Sequence, residues 1–227
     1  MAKAKIEKNH LEMGTRKYFR VQSGDVELGS FGQKKNPVSQ VPQLEIEGHI
    51  RCKYLKDDVV RVVTTTVDWS PEHSTDVNAH GSLRYFVLGT KAPVTGTYED
   101  AESAGLRLVK VSVNEEPLKR ILNDQDEEAR SYLACAGQNG RIVAEVWTLM
   151  EGELAEEFAA ASTFDMASGA DGAGLELGVS GGCHGSQTVI FSSGTVFAFS
   201  MHRVKEWKNG TDQIIAIEED SDGITCV

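Results

Sequence analysis

The residues of this chain that could make or break bonds are few, and their spacing does not suit the task. His49-x-x-Cys52 and the adjacent Cys183-His184 carry metal-competent atoms, but neither has a matching second pair at zinc-site spacing. The four cysteines, Cys52, Cys135, Cys183 and Cys226, form no C-x-x-C motif, so reduced thiols are expected in place of a disulfide framework. Ser186, close to His184, has no G-x-S-x-G elbow around it. Gly172-x-Gly174 meets Leu177 where the dinucleotide fingerprint needs a third glycine, and no phosphate loop is present. Asn209-Gly210-Thr211 is a glycosylation sequon, which carries no weight in a chain whose first residues lack a secretory leader. The expectation is a non-enzymatic protein with no metal and no cofactor.

What remains is the chemistry of surfaces. Residues 1–56 hold 11 Lys and Arg against 6 Asp and Glu, whereas residues 57–227 hold 12 against 28. A basic head therefore sits on an acidic body, with Lys3, Lys5, Lys8, Arg16, Lys17 and Arg20 at its front. Such a head fits an anionic surface, lipid or nucleic acid, or is simply a solvated basic helix. Few aromatics interleave the first lysines, which disfavours nucleic acid.

The most informative stretch runs from residue 141 to 204. From Ile142 to Ala160 the even positions include Ile142, Ala144, Val146, Met150, Leu154 and Phe158, with Glu156 the exception, while Glu145, Glu151, Glu153 and Glu157 take odd positions. On the way back Leu175, Leu177 and Val179 alternate with Glu176, Gly178 and Ser180. Period two on both arms predicts a long amphipathic β-hairpin, with one apolar face and one acidic or small face. About ten tilted residues cross the hydrocarbon core of a bilayer. A lone hairpin would leave its edges unpaired in lipid, so only closure of many copies into one barrel would satisfy them. In that barrel the apolar set would face lipid, and Glu145, Glu151, Glu153, Glu157 and Glu176 would line the lumen. An ordinary half-buried sheet alternates in the same way and stays open as a reading.

The elements that would position these arms follow from the same patterns. Residues 2–13 are predicted as a short basic helix stopped by Gly14, and Tyr18 to Val21 as a strand. Residues 22–43 look loop-rich, and Val59 to Val67 is a β-branched strand. The runs Leu83 to Leu88 and Leu106 to Val113 suggest another long hairpin. Asn114 caps a helical stretch with Pro117 in its first turn, which reaches Gly137 with a break near Asn123. Residues 162–174 read as a polar turn and Gln213 to Ile217 as a last strand. The 227 residues fit one sizeable α+β domain or two small ones, and no apolar run approaches the ~18 residues of a transmembrane helix.

The order of these features, and in particular VSVNEEPLKRIL from Val111, RIVAEVWTL from Arg141 and SSGTVFAFSMHRV from Ser192, resembles the pore-forming domain of the gasdermin family. The likeness covers about half of the chain. It implies an α+β fold with a central twisted antiparallel sheet, packed helices and two long extendable β-hairpins, in a pore-forming domain over 1–207 and a short acidic segment over 208–227. It also implies a protein that is cytoplasmic at rest, binds acidic phospholipids, assembles with itself into a large ring and permeabilises the cell membrane, with lytic cell death as the result. The chain departs from larger members in having no inhibitory domain after residue 207, and from bacterial members in having no cysteine among Met1 to Asn9. It looks like the minimal kind found in fungi and early animals. Cys226, next to last in a polar acidic tail, is a candidate for an intermolecular disulfide between resting subunits, or an incidental thiol. The rival to the pore is a soluble β-rich module that binds a protein or nucleic acid through its basic front.

Overall fold

The computed structural model describes residues 4–7, 10–20, 23–35, 43–55, 59–67, 82–168 and 174–220 of the chain. They form a mixed α+β fold in which the named strands pair antiparallel. At its centre lie two long strands, β10 (Gly140–Met150) and β14 (Ala198–Trp207), paired from Ile142 opposite His202 to Trp147 opposite Ala198 with a bulge between Val143 and Glu145.

Each central strand shares its other edge between two neighbours. Along β10, residues 140–142 pair with β4 (Ser30–Lys35) and residues 148–150 with β9 (Arg107–Val113). These continue to β5 (Gln43–His49) and β6 (Val60–Thr66), respectively. Along β14, Phe199 pairs with β3 (Arg16–Phe19), which leads to β2 (His10–Met13) and β1 (Ala4–Ile6). Residues 201–207 pair with β15 (Ile214–Asp220). A parallel bridge from Ala4 to Val67 then brings β1 to the end of β6, so the path β6-β9-β10-β14-β3-β2-β1 comes almost full circle.

Because side chains alternate across a strand, β10 serves two cores. Val146 and Met150 enter the larger one. Trp147 and Leu149 enter a smaller one with Ile6, Leu11, Tyr18, Leu108 and Ala198, where Tyr18 meets Trp147 edge to face with ring centroids 5.3 Å apart. Helices α1 (Tyr98–Ser103), α2 (Glu115–Asp124), α3 (Glu127–Ala136) and α4 (Gly152–Ala160) complete the layers. Leu118, Ile121, Leu122, Ala129 and Leu133 bury one stripe of α2 and α3 in the larger core, as their spacing predicts. The Asp126 side chain accepts the Ala129 N–H at the start of α3, and Gly137, with φ of 57°, ends it. Two smaller sheets stand beside the main one: β7 (Leu83–Tyr85) with β8 (Val94–Gly96), and β11 (Thr163–Ser168), β12 (Leu175–Gly182) and β13 (Gly185–Phe191) in that order.

Five expectations from sequence need correction. The described part of residues 2–13 is not a helix but the strands β1 and β2, because Ala4, Ile6 and Leu11 alternate into the smaller core. Gly14 is not a helix stop; with φ of 64° it turns β2 into β3. Residues 22–43 contain β4, so they are not all loop. The runs at 83–88 and 106–113 are not partners: β7 pairs with β8, and β9 lies between β6 and β10. The arm expected to extend from Ile142 to Ala160 leaves the sheet at Met150 and coils into α4, while part of the supposed turn after it is β11.

Candidate functional site

The segment between the two central strands is one hairpin interrupted part-way. Its base is β10 against β14, and its tip is β11 against β12, where Thr163 faces Ser180 and Ser168 faces Leu175. From base to tip the outgoing arm advances sixteen residues (147 to 163) and the returning arm eighteen (198 to 180). A surplus of two is even, and side chains alternate with period two, so base and tip are in phase. Val146 at the base and Phe164 and Met166 at the tip share the apolar side with Leu175, Leu177, Val179 and Phe199. The returning arm holds two irregular stretches, a register shift between Val179 and Gly182 and residues 192–197, which form no strand and in which Gly194 holds φ of 85° and Arg84 donates to the Ser193 carbonyl.

What interrupts the hairpin is α4 on one arm and β13, folded back on β12, on the other. Helix α4 is made of good helix formers, Leu, Ala and Glu, yet no side chain caps its start and no glycine closes its end. It is held from outside. Leu154, Ala155 and Phe158 pack into the larger core, and Glu156 meets Arg107 at 2.6 Å. Buried Glu157 accepts the backbone N–H of Cys183 at 2.9 Å. That contact needs Gly182, since a Cβ there would stand 2.1 Å from Glu157 Oε2. Glu151 accepts the Leu88 N–H at 3.1 Å, Glu176 meets Lys91 at 3.1 Å, and the Ser168 hydroxyl lies 3.6 Å from Cys52 Sγ.

All seven residues expected on a lipid-facing side, Val146, Met150, Leu154, Phe158, Leu175, Leu177 and Val179, are thus buried together in the larger core. The expected lumen residues are dispersed. Glu153 is exposed, whereas Glu145 lies between Arg16 and Lys110 at 3.2 Å from each.

In the basic head, Lys3 and Lys8 lie outside the described residues, as does Cys226. Lys5 meets Glu7 and Lys17 meets Glu12, each at 2.5 Å; the Lys17 hydrogen bond holds the Glu12 carboxyl below its ordinary value. Arg16 bridges Glu145 and Glu219, and Arg20 donates to the Glu7 carbonyl while lying over the Phe197 ring. Cys52, Cys135 and Cys183 are free thiols.

Two charged clusters were not foreseen from sequence. Asp220 at the end of β15 accepts from Lys34 on β4 at 2.8 Å and from Arg141 on β10 at 2.6 Å, with all three side chains buried. Burial alone would raise the Asp220 pKa, but these two donors outweigh it and hold the carboxyl low. The second cluster surrounds a cavity of about 580 Å³ where the first turn of α2 faces β14 and β15, lined by Arg16, Glu115, Glu145, His202 and Glu219 among others. Acidic and basic residues in strands look like solvent-facing alternation, so the sequence held no signal for either cluster.

Among the described residues no helix is long and apolar enough to cross a membrane, and no group of three or more His, Cys, Asp or Glu could hold a metal ion. The chain matches no model of a known protein family, no curated protein and no solved structure.

Proposed function

We propose that this protein permeabilises membranes rich in acidic phospholipid by opening the interrupted hairpin and assembling many copies into one β-barrel, as its likeness to gasdermin pore-forming domains implies. The observation that carries the reading is the phase agreement between β10–β14 and β11–β12 on either side of α4. If α4 unwinds and β13 leaves β12, the two arms can pair along their length. Val146, Met150, Leu154, Phe158 and Phe164 then line up with Leu175, Leu177, Val179, Val189 and Phe191 on one apolar side. The residues between them, Glu151, Glu153, Glu157, Asp165, Glu176 and Ser180, take the other.

The energetics favour this only at a membrane. Exposing a buried Leu or Phe to water costs about 1.5–3 kcal/mol, so in solution the apolar side stays in the core. Transfer to lipid removes most of that cost. Neighbouring copies must then satisfy the hairpin edges, since each unpaired backbone group in hydrocarbon costs several kcal/mol. The basic front supplies attraction to anionic headgroups, at about 1 kcal/mol for each Lys or Arg brought near the surface.

Release of dye from liposomes with and without phosphatidylserine tests the reading. Leakage that needs the anionic lipid, together with ring-sized oligomers after detergent extraction, supports it. Protein that neither sediments with nor permeabilises either liposome overturns it and leaves the soluble binding module.

A further inference from the structure

We infer that the corner where β14, β15 and the first turn of α2 meet is an acid-operated joint, in which a proton taken up by His202 releases the first turn of α2 from β14 and β15. This does not rest on the pore reading. His202 projects from β14 and is buried, with 5% of its surface exposed. Its Nε2 is 3.7 Å from Glu115 Oε1 of α2, and its Nδ1 is buried with no hydrogen-bond partner.

The charged groups that act on the ring come from each element packed around it. Glu145 lies on β10, Glu219 on β15, Glu115 on α2 and Arg16 on β3, while Lys110 of β9 pairs with Glu145. Burial depresses the imidazole pKa, and Arg16 adds to that, outweighing the pull of the three carboxylates. The ring is therefore neutral at pH 7.

A group whose folded pKa lies below its unfolded value binds fewer protons when folded. Stability at this corner is then full above the ordinary histidine range and declines as pH falls through about 6.5 towards the lower folded value. The cost is relieved locally. The cavity already separates the start of α2 from β14 and β15, and Asn114 places no side-chain cap on α2. A small outward movement of that turn lets water reach the ring without unfolding the sheet.

Hydrogen exchange at pH 7.5 and 5.5, corrected for intrinsic rates, tests the joint in the free protein without any membrane. Acid should lower protection in the peptide covering 114–120, by at most about tenfold between these two pH values for an open-state pKa near 6.5, and leave β9 and the β14–β15 pair unchanged. In His202→Gln that difference should vanish. Loss spread evenly over the chain, or an unchanged acid effect in His202→Gln, overturns the proposal. Should the variant fail to fold, the wild-type imidazole resonance decides. A midpoint below the ordinary histidine range that coincides with the exchange change supports the joint; a midpoint at or above that range overturns it.

Discussion

Glu157 on α4 accepts its hydrogen bond from the backbone N–H of Cys183 in the turn after β12, so a buried carboxylate ties the helix to the sheet it covers. Its second oxygen, Oε2, is buried with no partner. Its first oxygen also lies 4.0 Å from His184 Nε2, but a buried polar atom without a partner is costly, which makes this tie a weak point in the compact form. Gly182→Ala should push the carboxylate away and destabilise the docking of α4 by about 1–3 kcal/mol. The expected outcome is faster protease cleavage within 151–161 and faster dye release. A variant with wild-type rates in both would show that the contact holds nothing.

Helix α4 must become strand for the hairpin to open, so its propensities set part of the barrier. Ala159 and Ala160 are exposed. Changing both to Val should cost the helix up to about 0.7 kcal/mol each while favouring strand. Leakage should rise by several-fold to about tenfold, and circular dichroism in solution should change little. Glu156→Pro breaks helix and strand alike, at about 3 kcal/mol in the helix, and should lower both stability and leakage.

The buried cluster at the end of β15 sets acid and mutational limits on the whole fold. Asp220→Asn leaves Lys34 and Arg141 buried without this carboxylate and should destabilise the protein by about 3–5 kcal/mol in urea titrations at pH 7. Because the folded pKa is depressed, the wild-type contribution is complete above the ordinary aspartate value of 3.8 and is lost as pH falls below it towards the folded value. The difference between wild type and Asp220→Asn should therefore shrink only below pH 4.

In the proposed pore, an open hairpin with Glu151, Glu153 and Glu176 on its polar side would make an acidic conduit. Reversal potentials in a salt gradient should show modest cation preference, since screening confines the effect to about 8 Å from the wall at physiological salt. Glu153→Lys with Glu176→Lys should weaken or invert it. Anion preference in the wild type would mean that the two faces are assigned the wrong way round.

Much of the fold was legible where local pattern and tertiary burial agree. Leu118, Ile121 and Leu122 marked α2, the β-branched run marked β6, and Leu175, Leu177 and Val179 marked β12. Two of the errors share one cause. A spacing of four residues satisfies both the helical and the strand period. Ile6 and His10 are four apart and suggested a helix where β1 and β2 form. Met150, Leu154 and Phe158 are also four apart and suggested continued strand where α4 forms. Pairing was illegible for another reason: β9 joins β6 and β10 through contacts distant in sequence. The Glu157 tie and the Asp220 cluster depend on burial, which acidic residues in a sequence do not announce.

Consider, finally, the loop around Gly194 on the returning arm. In the compact fold Ser193 and Gly194 are exposed, and lengthening a surface loop by a residue costs only a few tenths of a kcal/mol. The proposed open hairpin would be far less forgiving, because side chains along paired strands alternate by parity. Inserting one glycine after Ser193 should disturb the contacts of this loop with Arg84 and Gly24 about as much as a longer insert does, yet in the proposed open hairpin it should turn every returning side chain to the opposite face and abolish leakage. Inserting two should restore it. An odd–even alternation of activity with insert length, over a melting temperature that does not alternate, would be the signature of a chain that lives in two folds and keeps its reading frame in only one.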